Sequence, residues 1–383
     1  MQIDNEEQVV ESTAKKLAQI AISCFKLGTI GFGGIAGMVA TIEDEMVVKR
    51  KWIDHKHFMD VLSTSYIIPG PNAVEVVMHC GKERGGRLGL MVAGICYIFP
   101  AMVICLLFGY FYKRYSALPD VQSFIYGIRP ATTALVIGTV FRLWDKTLKN
   151  NTVLIILCLV VFVASLYGMN EVLLILGAGL INYLIYTSKN KLNVFAGIFY
   201  TPVLLEISSK FSANKLFFIF LKIGSVLYGS GYVLFAYMDE ALVRKNHWLT
   251  HQQLTDAIAV GQITPGPILS SATFAGYLIN GTTGSVLATV GIFLPSFFIS
   301  FFLHRVLSSA RKSQKLRLFL DGLSAASVSL IAVVGYHLFR SSIQDWYEAV
   351  IMSVCLALML SLKKLSTVVI ILIGSIGGFL LKM

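Results

Sequence analysis

The sequence predicts an all-α polytopic membrane protein made of two homologous, inverted repeats, each with a helix broken at Pro-Gly-Pro. Composition is the first reason: 56% of the 383 residues are hydrophobic, 14% are charged, and apolar segments recur along nearly the whole length with a mean hydropathy of +0.72. The second is a pair of breaks inside apolar sequence, Pro69-Gly70-Pro71-Asn72 and, 196 residues on, Pro265-Gly266-Pro267-Ile268. Proline removes an amide donor and clashes with the preceding turn, and glycine adopts backbone angles closed to other residues, so no continuous helix passes through either. In lipid such a break survives only where protein, water or a ligand satisfies the freed backbone groups. The third is that the breaks occupy matching places in an internal copy, a pattern that points to a transporter's substrate site.

In chain order, residues 17–42 form an apolar stretch with a weak middle, interrupted by Lys26 and by Gly31-Phe32-Gly33-Gly34, and no cleavable leader pattern is read ahead of it. Glu43-Asp44-Glu45 and Lys49-Arg50-Lys51-Trp52 suit an interfacial turn whose Trp lies at headgroup depth. Residues 58–80 hold the first Pro-Gly-Pro, as one broken crossing or as a re-entrant hairpin. A basic loop at 82–87 follows, and further spans are predicted at about 88–112, 123–141, 152–167 and 172–186. The first repeat is placed at 1–191, a linker at 192–213 and the second repeat at 214–383, with ten to thirteen spans in all. The net charge of +11 sits in short loops, as positive-inside topology requires, so it implies no nucleic acid. The six cysteines are scattered singly without ligand spacing, and no disulfide, metal or cofactor is expected.

The internal copy is read with an offset of 196: Lys26, Gly28, Gly33, Trp52, His55, Asp60 and Pro69-Gly70-Pro71 match Lys222, Gly224, Gly229, Trp248, His251, Asp256 and Pro265-Gly266-Pro267. Beyond the break the offset drops by one, and Gly81, Gly86, Pro100 and Gly127 match Gly276, Gly281, Pro295 and Gly322. Loop 82–87 has three basic residues where its copy has none, whereas Arg305, Arg311, Lys312, Lys315 and Arg317 crowd the next loop of the second repeat. This shift by one span predicts opposite orientations.

These residues resemble a known family. Phe25-Lys26-Leu27-Gly28, Gly31-Phe32-Gly33-Gly34, the turn to Trp52, Pro69-Gly70-Pro71-Asn72, Glu75, His79 and Pro100 look like the amino-terminal domain of chromate ion transporters. Leu221-Lys222-Ile223-Gly224, Gly229-Ser230-Gly231-Tyr232, Gly261-Gln262-Ile263-Thr264-Pro265-Gly266-Pro267 and Gly276-Tyr277 are similar to that family's second domain. The resemblance implies a long, two-domain transporter of chromate, typically moving it outward, with sulfate as the substrate of some relatives. Ile35 stands where a proline is commoner, and Ser230 where a glycine is.

Chromate and sulfate are tetrahedral dianions, so a site needs positive charge and amide donors. Half-helices beginning after Pro71 and Pro267 would point free amides and a dipole end into the breaks, and Gly33, Gly34, Gly229, Ser230 and Gly231 can form backbone nests. The same glycines could instead serve close helix packing. Asn72 and Gln262 add side-chain amides. Lys26 lies ten residues past Lys16, about 15 Å at helical rise, near the middle of the bilayer, so it should face a cavity or a partner such as Glu43, Glu75 or Asp239. Lys222 is its copy. Arg129, whose copy is Ser324, is a third cation. Glu75 and His79 share a helix face at i, i+4 and have no titratable copies, which suits proton coupling or a structural pair.

The function expected is a secondary oxyanion transporter driven by an ion gradient, with alternating access at the repeat interface. A passive anion channel of the same fold is the alternative, and a membrane-embedded enzyme lacks any nucleophile–base or metal motif in the sequence. The expected partners are chromate or sulfate and the lipid bilayer, with a homodimer left open, and the expected location is a prokaryotic plasma (inner) membrane.

Overall fold

A computed structural model of the chain describes residues 12–31, 34–66, 69–149, 151–187, 212–228, 230–302, 313–362 and 365–382, with backbone only at 34–36. Gly33, Gly229, nearly all of the linker, and Arg305, Arg311 and Lys312 lie outside the described residues. Among the described residues there are helices and no strands. The first repeat gives α1 (Thr13–Ile30), α2 (Gly34–Glu43) continued by a π-helical turn Asp44–Lys49, α3 (His55–Ser65), α4 (Asn72–Tyr115), α5 (Pro119–Thr147), α6 (Thr152–Leu166) and α7 (Glu171–Thr187). The second gives α8 (Ala213–Val226), α9 (Val233–Met238) continued by a π-helical turn Asp239–Lys245, α10 (His251–Ile263), α11 (Ser271–Phe302), α12 (Gln314–Ser342), α13 (Trp346–Ser361) and α14 (Thr367–Lys382).

The repeat extends to the punctuation of the helices. Asp54 caps α3, its carboxylate accepting from His57 N at 2.9 Å, and Thr250, 196 residues on, caps α10 by accepting from Gln253 N at 3.1 Å. Both capped helices end at Pro-Gly-Pro. The stretch 17–42, expected as one segment, is two helices that part after Gly31.

α4 and α11 each fold back on themselves. Gly86 (φ +62°) and Gly281 (φ +56°) take left-handed backbone angles, and the limbs on either side close so tightly that Gly81 packs on Gly89 and Gly276 on Gly284. The short limb 72–84 also runs back alongside α3, since His57 Nε2 at the start of α3 lies 3.4 Å from Glu83 Oε1. In the copy, Tyr112 of α4 reaches both Asp256, midway along α10, through a 2.6 Å hydrogen bond and Phe274, in the short limb of α11, by an edge-on ring contact, and Gly261 of α10 packs on Ser271 at the start of that limb. Residues 58–80 are therefore part of a re-entrant hairpin rather than a broken crossing, and the true crossing is the long limb 87–115.

The long limbs of α4 and α11 pack antiparallel at the centre. Gly94 lies against Phe297, and the Arg87 guanidinium stands 5.2 Å from the Phe301 ring, so α11 runs backward as α4 runs forward. Copies that meet antiparallel are related by an axis across the helices, which is the inversion read from loop charge. The outer helices are exchanged: Gly127 of α5 packs on Gly374 and Gly378 of α14, and its copy Gly322 of α12 packs on Ala178 and Gly179 of α7. Four helices (Asn72–Tyr115, Pro119–Thr147, Ile268–Phe302 and Gln314–Ser342) are long and apolar enough to cross a membrane, and α6, α7, α13 and α14 are shorter apolar helices. Large side chains such as Phe298 and Phe302 remain exposed on this surface, as a bilayer-facing helix requires.

Candidate functional site

Each Pro-Gly-Pro leaves backbone groups that its own helix cannot satisfy, and the other repeat satisfies them. Gly70 N donates to the carbonyl of Leu227 at 2.9 Å, and Gly266 N donates to the carbonyl of Gly31 at 2.9 Å. Leu227 and Gly31 hold equivalent positions, just past the ends of α8 and α1. The two hydrogen bonds are thus one contact made twice about the pseudo-twofold axis. Both glycines need their identity here, with φ of +136° at Gly70 and +95° at Gly266.

The exchange encloses a cavity of about 100 Å³. The first repeat contributes Gly31, Gly70, Pro71, Asn72 and Ala73, and the second contributes Ser230, Gly231, Gln262, Gly266 and Pro267. α4 begins at Asn72, so the amides of Asn72 and Ala73, for which the helix has no acceptor, belong to the cavity wall. Gln262 is buried at 8% exposure; its Oε1 accepts from Tyr232 OH at 3.3 Å, while Nε2 is buried and has no hydrogen-bond partner among the described residues. Among the described residues no lysine or arginine lines this cavity. Its recognition chemistry is amide donors and helix dipole, which suits an anion that fits among them.

Eight of the residues singled out in the sequence therefore meet: Gly70, Pro71, Asn72, Ser230, Gly231, Gln262, Gly266 and Pro267. Pro69 and Pro265 are buried outside the lining, and the Pro69 carbonyl accepts from Ser296 Oγ at 3.4 Å. Gly34 opens α2. Glu75 and His79 are buried at 0% and 2% exposure; Ser296 Oγ faces the Glu75 carboxylate, yet neither carboxylate oxygen closes a well-formed hydrogen bond. Glu75 lies one helical turn from Asn72, beside the cavity rather than in it.

The two lysines stand elsewhere. Lys26 is half exposed and pairs with Glu45 at 3.4 Å, not with Glu43, Glu75 or Asp239. Lys222 is exposed and makes no ion pair among the described residues, and Ala241 stands where a copy of Glu45 would be. Glu43 and Asp239 instead hold equivalent histidines, His55 at 2.7 Å and His251 at 3.0 Å. Asp239 also meets His337 at 2.8 Å and Arg244 at 3.2 Å. Burial pushes its carboxyl up, but hydrogen bonds from the two histidines prevail and hold it at about 2.

Two polar vestibules sit at opposite ends of the long limb of α4. One, about 670 Å³, contains Lys26, Glu45, Arg50 and Arg84; the other, about 590 Å³, contains Tyr112, Arg129, Asp345 and Lys382. Behind the second, Arg129 grips Asp256 through two 3.0 Å hydrogen bonds that Tyr112 OH joins at 2.6 Å. Residue spacing gave no sign of this triad, because its members come from α5, α10 and α4. Tyr232 and Thr264 also line the cavity, and only their place beside Gly231 and Pro265 marked them.

Helices long and apolar enough to cross a membrane, arranged as two repeats around a shared cavity, fit a membrane transport protein. The chromate transporter family model matches residues 18–183 and 214–379, so the chain belongs to that family. It is 28% identical over 375 residues to a probable chromate transport protein of Synechococcus elongatus, covering 95% of each chain. It is also 28% identical over 367 residues to the chromate transport protein of Cupriavidus metallidurans, covering 93% of this chain and 90% of the relative. An uncharacterized transporter of Methanocaldococcus jannaschii is 24% identical over 379 residues, 94% of each chain. No solved structure matches the chain.

Proposed function

We propose that the protein is a secondary transporter of chromate, with sulfate as the alternative tetrahedral dianion, that works by gradient-driven alternating access at the repeat interface of a prokaryotic plasma membrane. The observation that carries this reading is the shared cavity, with the buried, unsatisfied Nε2 of Gln262 in its wall and the first-turn amides of α4 beside it. A volume near 100 Å³ suits one small anion, well below the ~300–1,000 Å³ of sites for larger organic ligands. The vestibules at opposite ends of α4 are the two approaches, and the inverted repeat supplies two equivalent ways of opening.

The test is chromate flux into vesicles containing purified protein. Gln262→Glu replaces a donor by an acceptor that repels the anion; losing one hydrogen bond to a charged group, worth about 1.5–3 kcal/mol, raises KM roughly ten- to hundredfold. An unchanged KM would sink the cavity as the site. Accumulation against the chromate gradient when a pH gradient is imposed separates this reading from a passive channel, which only equilibrates.

A further inference from the structure

The vestibule that holds Lys26 carries chemistry the central cavity lacks. Lys16, Lys26, Lys49, Arg50, Lys51 and Arg84 line it against two carboxylates, Glu45 and Glu83, and Asp44 beside the lining pairs with Lys49 at 2.6 Å, leaving an excess of three positive charges around a concave polar space. The opposite vestibule has two cations, Arg129 and Lys382, against Asp345 and Glu348, an excess of none. Topology alone asks for basic residues in loops on one side of a membrane. It does not ask that they converge from α1, the π-helical turn and the hinge of α4 onto one hollow.

The floor is already paired. Glu45 accepts from Arg50 at 2.8 Å and from Lys26 at 3.4 Å; burial pushes its carboxyl up, but these partners outweigh burial and hold it below the usual carboxylate range. Lys51 stands above it with φ +52°, a backbone region where glycine is cheaper. Its copy, His247, takes the same φ of +52°. The turn is therefore a property of the repeat, while the lysine on it belongs to one vestibule alone. Trp52, 5.6 Å from the Arg50 guanidinium, completes the wall.

We infer that this vestibule is a second oxyanion site, distinct from the central cavity, which collects a tetrahedral dianion at the mouth on the side of loop 82–87. Naming the dianion as the transported one rests on the proposed function; the headgroup phosphate of an anionic lipid offers the same chemistry. The site acts through summed charge: fields of this kind raise local anion concentration and capture rate by about 10- to 1,000-fold and fade as salt rises. At about 0.01 M ionic strength the screening length is about 30 Å, and at about 1 M it is about 3 Å.

The test counts chromate bound per chain by equilibrium dialysis of the full chain in phosphatidylcholine nanodiscs. Wild type binds two at low ionic strength and one at about 1 M salt. Lys49→Gln/Lys51→Gly binds one at both, and its transport KM at low salt rises about tenfold with Vmax kept. Both lysines are exposed, the Lys49–Asp44 pair is itself exposed and adds little to folding, and glycine relaxes the backbone at position 51, so lost binding in this variant is not lost folding. Repeating the count with phosphatidylglycerol in the disc names the source. Loss of only the second chromate there, with lipid retained by wild type and released by the variant, assigns the site to a headgroup. Wild type that binds one chromate at low salt and retains no phosphatidylglycerol overturns the proposal, as does a variant that still binds two. Gln262→Glu keeps the vestibule chromate and loses the central one; if it keeps both, the central reading fails and the vestibule stands.

Discussion

Substituting the two break glycines by alanine should have unequal effects, although the residues are copies. At Gly266, φ is +95°, and an added Cβ would stand 3.1 Å from Ala101 Cβ and 3.3 Å from the Gly28 carbonyl, tight contacts that a small shift relieves. Gly266→Ala therefore costs little beyond forcing an L-residue into left-handed backbone, about 1–2 kcal/mol. At Gly70, φ is +136°, farther from the left-handed region an L-residue tolerates. A Cβ there would run into Ser296 Oγ and come within 3.0 Å of Glu75 Oε1. Backbone strain of about 1–3 kcal/mol is joined by about 0.5–1.5 kcal/mol for turning Ser296 off its rotamer.

Equilibrium unfolding of purified protein in mild detergent reads the difference. Gly70→Ala should lose about twice as much stability as Gly266→Ala. Ser296→Ala, added to Gly70→Ala, should recover the rotamer share of about 1 kcal/mol and leave the backbone share. If Gly266→Ala is the more damaging, or if Ser296→Ala rescues the whole loss, then the backbone at Gly70 is not constrained as the cross-repeat hydrogen bond to Leu227 requires.

Two further outcomes follow from the buried charges. Glu75→Gln should abolish chromate accumulation driven by a pH gradient while sparing chromate exchange at equal pH, because exchange moves no net proton; intact pH-driven accumulation removes Glu75 from coupling. Asp256→Asn should destabilise the protein by about 3–5 kcal/mol by leaving the Arg129 guanidinium without its carboxylate, and Arg129→Gln/Asp256→Asn should unfold later than Asp256→Asn alone in the same assay.

What could be read from the sequence was what side-chain type alone decides. Pro69-Gly70-Pro71 cannot continue a helix in any context, and Gly86 and Gly281 could be matched because few residues can replace them. The inversion was legible because loop charge follows the side of the membrane, not the neighbours. The partner of each break was not legible, since Gly70 bonds Leu227 across 157 residues through a backbone carbonyl that any residue would offer. Lys26 was misplaced for a different reason. The π-helical turn Asp44–Lys49 brings residues five apart together, Lys49 to Asp44 at 2.6 Å and Arg50 to Glu45 at 2.8 Å, where a search at α-helical spacing looks three or four apart. That register turns Glu45 toward Lys26 and leaves Glu43 for His55.

The backbone of the site is twofold and its side chains are not, and the two facts have different causes. A break in one repeat needs a carbonyl from the other, so the crossover works only if both halves keep glycine and the end of the first helix in place. One small cavity of about 100 Å³, by contrast, has room for one small anion on the proposed reading. Tyr66 occupies the position equivalent to Gln262 and is exposed, so the cavity gains its Tyr232-oriented amide from the second repeat only. Ser270 and Ser271 stand where a copy of Glu75 would be, and Ala101 is the copy of Ser296, so the buried carboxylate and the hydroxyl that faces it occur beside Gly70 but not beside Gly266. A second carboxylate there would add negative charge beside a cavity whose described lining holds no cation, whereas one carboxylate can be neutralised by one proton. On the proposed coupling through Glu75, the single carboxylate predicts one proton per chromate, and a proton-to-chromate flux ratio other than one in vesicles containing the purified protein would refute it.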